Sequence, residues 1–191
     1  MKYWLVALVF IAVLLTGVAA YHAPRFLVYA DNPVKSDAVI LFLGADFTAR
    51  KKEAARLLYE DYSRFLIIPS YRQVISLEKI PFFPAARGQG GFKSYPRFYE
   101  KTHLELLYAK KMMDTMGLRS AIMVSSPYHM KRIKMIAGRV FGEQSRLLSF
   151  TPTPYENDPI HLREMDRTDW MFVMNEYIKI CWFQLYSLFI K

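Results

Sequence analysis

Residues 121–132, AIMVSSPYHMKR, constrain the fold more than any other stretch of the chain. Ala121, Ile122, Met123 and Val124 make an apolar run too short for a helix and suited to a strand buried on both faces. Ser125, Ser126 and Pro127 then read as a strand end, a serine N-cap and a proline at the first helical position. From Tyr128 onward, Met130, Ile133, Ile136, Ala137 and Val140 fall at helical spacing, which predicts a helix with one apolar face. A strand feeding straight into a helix N-terminus leaves backbone N–H groups free above the sheet. Those donors, with the positive helix end, suit an anion. His129 lies in that first turn, and Lys131 and Arg132 follow it.

The same pattern recurs along the chain. Residues 37–43, DAVILFL, form a continuous apolar strand ended by Gly44. Asp46 or Thr48 can cap the helix after it, whose Ala54, Leu57 and Leu58 form an apolar stripe. Phe65, Leu66, Ile67 and Ile68 make a second buried strand, closed by Pro69. Helical periodicity runs from Glu100 to Met116, with Leu104, Leu107, Tyr108, Met112 and Met116 on one side and Gly117 at the C-terminus. A fourth apolar run covers residues 147–150. Short buried strands alternating with helices predict an α/β fold: a mostly parallel, doubly wound sheet, a Rossmann-like three-layer sandwich, with an N-terminal transmembrane helix.

Two segments break that rhythm. Residues 71–97 hold Pro81, Pro84 and Pro96 with Gly88, Gly90 and Gly91, and also carry Arg72, Lys79, Arg87, Lys93 and Arg97. They read as a basic, flap-like loop or as a plain insertion. Residues 151–168 are a polar linker. Beyond it, residues 169–190 are rich in aromatic and aliphatic side chains but are interrupted by Asn175, Glu176, Lys179 and Gln184. Those polar residues argue against a second membrane span and for a helix docked on the core that grazes a membrane surface. The implied division is a membrane anchor over 1–21, a connector over 22–36 and an α/β domain over 37–191.

The anchor rests on Trp4 to Ala20, seventeen residues without a charge. At about 1.5 Å per residue they span roughly 25 Å, the short end of a membrane helix. Tyr3, Trp4 and Tyr21 then fall in the interfacial regions. A removed leader, with Val18, Ala19 and Ala20 at the cleavage site, is the competing reading, and the segment's length favours the anchor. Lys2 and the amino terminus favour a cytoplasmic N-terminus. That predicts a single-pass protein of the inner (plasma) membrane with its C-terminal domain on the periplasmic, extracytoplasmic side. The formal net charge of +9 favours anionic partners. No zinc-knuckle spacing, RNA-binding aromatic signature or lysine-rich tail is present, which sets nucleic acid aside. The single cysteine, Cys181, rules out an intrachain disulfide and reads as a buried structural thiol in an apolar helix.

Loops at the carboxyl ends of the strands of such a sheet gather into one crevice, where ligands bind. That rule brings Gly44, Ala45, Asp46 and Arg50 to Ser125, Ser126 and His129, with Thr102 and Glu105 joining if their helix starts at the same edge. The set can bind a phosphate and support acid–base chemistry. It contains no metal-ligand spacing, no glycine-rich dinucleotide fingerprint and no Walker motif, so no metal is expected and no cofactor is specified. Blander readings stand beside these. Glu105 can pair along its helix with Lys101, and Arg50 and Arg132 can be solvated helix charges. Asp37 is structural, Met112, Met113 and Met116 fill core, and His22, His103 and His161 have no partner legible in the sequence.

The order strand–Gly44–loop–Arg50–helix, then Thr102-x-x-Glu105, then the stretch from Val124 through Ser125, Ser126, Tyr128, His129 and Met130 to Arg132, resembles the YdcF/SanA/ElyC-like family. The resemblance covers roughly residues 36–179, and Tyr128-His129-Met130 is its most specific part. It implies Arg50, Glu105, Ser125, His129 and Arg132 as pocket residues. Several members of that family carry one N-terminal membrane helix and are implicated in envelope barrier function or in peptidoglycan and lipid-carrier metabolism. The chain departs from the pattern where Ile68-Pro69-Ser70-Tyr71 replaces a Ser-Gly-Gly turn and where Leu106 follows Glu105 in place of Asn. The helix usual before the Thr102 element is replaced by the Pro/Gly-rich stretch. The expectation is a membrane-anchored bacterial envelope protein that acts on or binds an anionic, phosphorylated envelope intermediate, small or lipid-linked. His129 would be the acid–base group, assisted by Glu105, while Gly44, Asp46, Arg50, Thr102, Ser125, Ser126 and Arg132 hold the ligand. A non-catalytic scaffold, or a binder of a nucleotide or an S-adenosylmethionine-type molecule, are the alternatives.

Overall fold

The short apolar runs become the strands of one sheet in the computed structural model, which describes residues 2–44, 47–76, 95–156 and 158–190. In chain order the strands are β1 (Ala38–Leu41), β2 (Phe65–Ile68), β3 (Gln73–Ser76), β4 (Ala121–Ser125) and β5 (Leu148–Pro152). The helices are α1 (Lys2–Leu27), α2 (Phe47–Tyr59), α3 (Lys101–Met116), α4 (Pro127–Phe141) and α5 (Arg167–Ser187). The sheet order is β3-β2-β1-β4-β5. β2, β1, β4 and β5 run parallel, with Ala38 opposite both Phe65 and Ala121, and Ala121 opposite Leu148.

Strand alternation sends the side chains of each run to two different cores. Ala38, Ile40, Ala121 and Met123 face one side, where Leu106, Ala109 and Met113 of α3 and Met130, Ile133 and Ile136 of α4 cover them. Val39, Leu41, Ile122 and Val124 face the other, under Ala54, Leu57 and Leu58 of α2. Each of these strand residues is fully buried. That is why the runs carry no polar alternation, and why cutting one such Ile or Leu to Ala costs about 2–5 kcal/mol. The chain moves outward from β1 to β2, then crosses back to enter β4 on the other side of β1. The sheet order therefore reverses between β1 and β4.

The antiparallel strand β3 differs from the expectation that residues 71–97 are strandless. It pairs with β2, Phe65 opposite Ser76, after a 3₁₀ turn at Pro69–Tyr71 and Arg72 in the left-handed region at φ 51°. Its residues Gln73, Val74, Ile75 and Ser76 are half-buried or exposed, as an edge strand allows, so they lack the apolar signature of the central strands. Residues 77–94 of the flap-like loop lie outside the described residues.

α3 also sits differently. Met113 is fully buried, Met112 is partly buried and Met116 is 38% exposed. The inward stripe is Thr102, Glu105, Leu106, Ala109 and Met113, so one helix face carries polar residues at its start and core residues further on. Of the expected stripe, Leu104 and Tyr108 are buried, Leu107 and Met112 are partly buried and only Met116 turns outward.

The apolar N-terminal run belongs to the longer helix α1, of which Ala7–Leu27 is long and apolar enough to cross a membrane. The helix continues through residues 22–27, read above as connector, and its last turns pack on the domain. Leu27 is fully buried among Tyr128, Val173 and Ile180. The Tyr177 hydroxyl donates to the Ala23 carbonyl at 3.0 Å, and Phe26 stacks on Tyr177 at 5.9 Å. The chain then runs beside β5, where the Asp31 N–H donates to the Phe150 carbonyl at 2.7 Å. α5 docks through Val173, Ile180, Phe183 and Tyr186 and is capped by the reciprocal pair Asp166 and Asp169. Cys181 is exposed on its outer side, not buried. Asp37 is structural: its carboxylate accepts the N–H groups of Arg119 and Ser120, which hold it below the ordinary carboxylate range.

Candidate functional site

Where a parallel sheet reverses order, the loops leaving the two neighbouring strands diverge and leave a crevice. A cavity of about 360 Å³ opens here, past the carboxyl ends of β1 and β4. Gly44, Arg50, Thr102, Glu105, Ser126, His129 and Arg132 all line it. Ser125 is fully buried behind the wall, and its hydroxyl meets the site through His129. Asp46 lies outside the described residues.

Arg50 and Ser126 tie the two strand ends together. Arg50 Nη1 donates to the Leu43 carbonyl and Nη2 to Ser126 Oγ, each at 2.9 Å. The guanidinium occupies the space that a Cβ on Gly44 would fill, so only glycine lets it approach. Arg50 is 4% exposed, which rules out a solvated helix charge. Ser126 stands at the N-cap position of α4, but its hydroxyl makes no capping bond.

The helix N-terminus is served instead by Asp158, from the linker after β5. Its carboxylate accepts the Tyr128 N–H at 3.0 Å. Two residues earlier, Glu156 accepts from Arg50 Nε and Nη2 at 3.3 and 3.4 Å. The linker is pinned in place by Thr153, whose N–H donates to the Ser125 carbonyl and whose hydroxyl donates to the Ala49 carbonyl, both at 2.9 Å. The chain's own carboxylates thus fill the positions that the sequence assigns to an anion. Burial pushes the Asp158 carboxyl up to about 6.

Arg132 is the hub of the opposite wall. Its Nε and Nη2 donate to the two oxygens of Glu176 at 2.7 and 3.0 Å, a bidentate pair 3% and 10% exposed. Its Nη1 donates to Glu100 and, at 2.7 Å, to Thr102 Oγ1. Lys179 adds a further bond to Glu176 at 3.1 Å. The second Glu100 oxygen is buried with no hydrogen-bond partner among the described residues.

Both nitrogens of His129 are engaged. Nε2 lies 3.1 Å from Thr102 Oγ1 and Nδ1 lies 3.1 Å from Ser125 Oγ. Thr102 Oγ1 already accepts from Arg132, so the assignment that satisfies every group has its hydroxyl donate to Nε2 and Nδ1–H donate to Ser125. Burial, reinforced by the charges of Arg132 and Arg50, holds His129 well below the ordinary imidazole range, so the ring is neutral. Glu105 is 2% exposed, and the Ser70 hydroxyl donates to it from the turn after β2. Burial pushes its carboxyl up to about 7, and Ser70 and then Lys101 only partly oppose the shift. Helix-face pairing with Lys101 does not describe it.

Among the described residues, four bases face this cavity, Arg50, Lys101, Arg132 and Lys179, against five carboxyl groups, Glu100, Glu105, Glu156, Asp158 and Glu176. The described lining is not the electropositive funnel that the net charge of +9 suggests. Glu176 was legible as a polar interruption of an apolar helix, and a buried carboxylate needs a cation. Glu156 and Asp158 sit in a linker without periodicity and carried no signal. Among the other histidines, His103 is buried, with Nδ1 3.1 Å from the Tyr186 hydroxyl and the ring stacked on Tyr99 at 4.7 Å. Burial lowers it to about 4. His161 Nδ1 lies 3.2 Å from Arg25, and His22 meets the Tyr21 ring edge-on.

Among the described residues, no group of three or more His, Cys, Asp or Glu side chains could hold a metal ion. No family model, no curated protein and no solved structure matches the chain.

Proposed function

We propose that the chain is a membrane-anchored envelope protein of the YdcF/SanA/ElyC-like type, with α1 in the inner membrane and the domain on its extracytoplasmic side. In this reading the sheet is a doubly wound, Rossmann-like three-layer sandwich, and the cavity at its switch point binds a phosphorylated envelope intermediate. One observation carries the reading: Arg50 and the N-terminus of α4 each already hold a carboxylate, from Glu156 and Asp158. A place that accepts carboxylate oxygens from its own linker accepts phosphoryl oxygens by the same charge-assisted bonds. The unpartnered Glu100 oxygen supports a ligand that also offers a hydroxyl or amide N–H beside its phosphate.

The engagement of both His129 nitrogens favours binding over proton transfer through that ring. If the ligand reacts, Glu105 is the group whose raised acidity range suits proton exchange near neutral pH.

The test is calorimetric titration of the detergent-solubilised full chain with inorganic phosphate, pyrophosphate and a short polyprenyl phosphate. Arg50→Gln is expected to weaken binding about ten- to a hundredfold, the loss of a contact worth about 1.5–3 kcal/mol. Glu156→Gln, which removes the internal competitor, is expected to strengthen it. Binding unaffected by both substitutions would sink the phosphate assignment.

A further inference from the structure

α5 is apolar on two sides, and among the described residues only one of them is covered. Val173, Ile180, Phe183 and Tyr186 are buried against the domain. Met171, Met174, Ile178, Trp182 and Leu185, spaced by three or four residues, lie along one outward line of the helix. They are 63, 55, 63, 45 and 54% exposed; Trp182, the least exposed, donates its indole N–H to the Phe98 carbonyl at 3.0 Å. An unbroken apolar line of this length on a docked helix calls for a partner.

The end of α1 says which partner. Ala23, Phe26 and Leu27 are part of the domain's packing, bonded to or stacked on Tyr177 and buried beside Val173 and Ile180. The membrane-crossing stretch therefore joins the domain with no slack linker. From Ala7 to Ala23 the helix rises about 24 Å, so a hydrocarbon layer about 30 Å thick reaches the level of Ala23. Tyr177 touches that residue, and Met174 and Ile178 lie within one turn of Tyr177. Around the same junction, bases sit over aromatic rings: Arg25 over Tyr21 at 4.0 Å, Lys131 over Phe26 at 4.7 Å and Lys134 over Tyr29 at 3.4 Å. Aromatic rings paired with bases are the chemistry of a headgroup layer.

We infer that the outward line of α5, from Met171 through Leu185, is a membrane-contact surface seated in the headgroup layer of the bilayer that α1 crosses, with anionic phospholipid as its partner. The inference rests on the retained-anchor reading of α1. It adds that the domain lies against the bilayer rather than hanging from it.

The single cysteine makes the test direct, because Cys181 is exposed beside this line and accepts a label without any substitution. The full chain, reconstituted in phosphatidylethanolamine–phosphatidylglycerol vesicles, carries an environment-sensitive fluorophore at Cys181. A second preparation, Cys181→Ser with Leu14→Cys, carries it in α1. The expected result is strong quenching of the Cys181 probe by lipids brominated high on the acyl chain, several-fold above that by aqueous iodide, with the Leu14→Cys probe quenched from deeper. Ile178→Glu is expected to move the Cys181 probe into water and leave the α1 probe unchanged. A Cys181 probe quenched by iodide beside a deep α1 probe overturns the α5 surface and leaves the anchor standing. Both probes in water overturn the anchor and the surface together. A shielded Cys181 probe that ignores lipid quenchers and cross-links to its copy assigns the line to a dimer contact, and also overturns the proposal.

Discussion

Glu105→Gln is expected to stabilise the protein above neutral pH and to leave its stability nearly unchanged near pH 4. The Glu105 carboxyl is 2% exposed and lifted from 4.5 to about 7, chiefly by burial. A carboxyl raised in the folded state binds its proton more tightly there than in the unfolded chain. Stability therefore falls as pH climbs from about 4.5 to about 7, where folding must keep a charge out of water. At about 1.4 kcal/mol per pH unit the full cost is about 3 kcal/mol, present above pH 7 and absent below 4.5. Glutamine keeps an acceptor for the Ser70 hydroxyl and never ionises, so the variant avoids that cost. For a chain of this size about 3 kcal/mol is on the order of 10 °C in Tm. The assay is paired thermal or urea unfolding of both proteins in detergent at pH 4 and pH 8. Asp158, lifted to about 6 in the same sense, is present in both and cancels in the difference. A variant no more stable than the wild type at pH 8 would refute the net cost assigned to burying the Glu105 charge.

Arg132→Leu leaves Glu100 without its cation and Glu176 with Lys179 alone, and unfolding measurements should show a loss of about 3–5 kcal/mol; a loss below about 1 kcal/mol contradicts the network. Gly44→Ala puts a methyl into the Arg50 guanidinium, so phosphate titration should show weakened binding even in protein whose unfolding midpoint is little changed. His129→Ala, scored for both ligand affinity and cellular complementation, should lose the two in step if the ring only shapes the site. Function lost with affinity intact would restore proton transfer to it. N-terminal sequencing of the mature chain should show residues 4–20 retained, and a chain starting at Tyr21 defeats the anchor.

The central strands were legible because burial on both faces leaves an unbroken apolar run, and Ala121 to Val124 cannot be placed otherwise. The switch-point rule then gathers Gly44, Arg50, Ser126 and His129 from two distant segments, and the cavity is lined by all four. What escaped was whatever depends on polar residues facing inward. The inner stripe of α3 includes Thr102 and Glu105 beside Leu104 and Tyr108, so apolar periodicity alone carries the stripe on to Met116, which is exposed. Cys181 was misjudged for the converse reason: α5 is apolar outside as well as inside, and composition does not say which side meets the core. β3 is a short edge strand of mixed polarity, turned by Arg72 rather than by a glycine, so neither the run nor the turn stood out.

The seating of Glu156 and Asp158 makes the binding of any anion at this site an exchange rather than an addition. Affinity then measures a difference between two occupants. Every tenfold preference for the seated linker lowers the apparent affinity of an outside anion tenfold. Free phosphate at low concentration competes poorly on those terms. An anion concentrated in two dimensions at the mouth of the site competes well. The threshold can be tuned by residues that never touch the ligand, such as Thr153, whose two bonds hold the linker down.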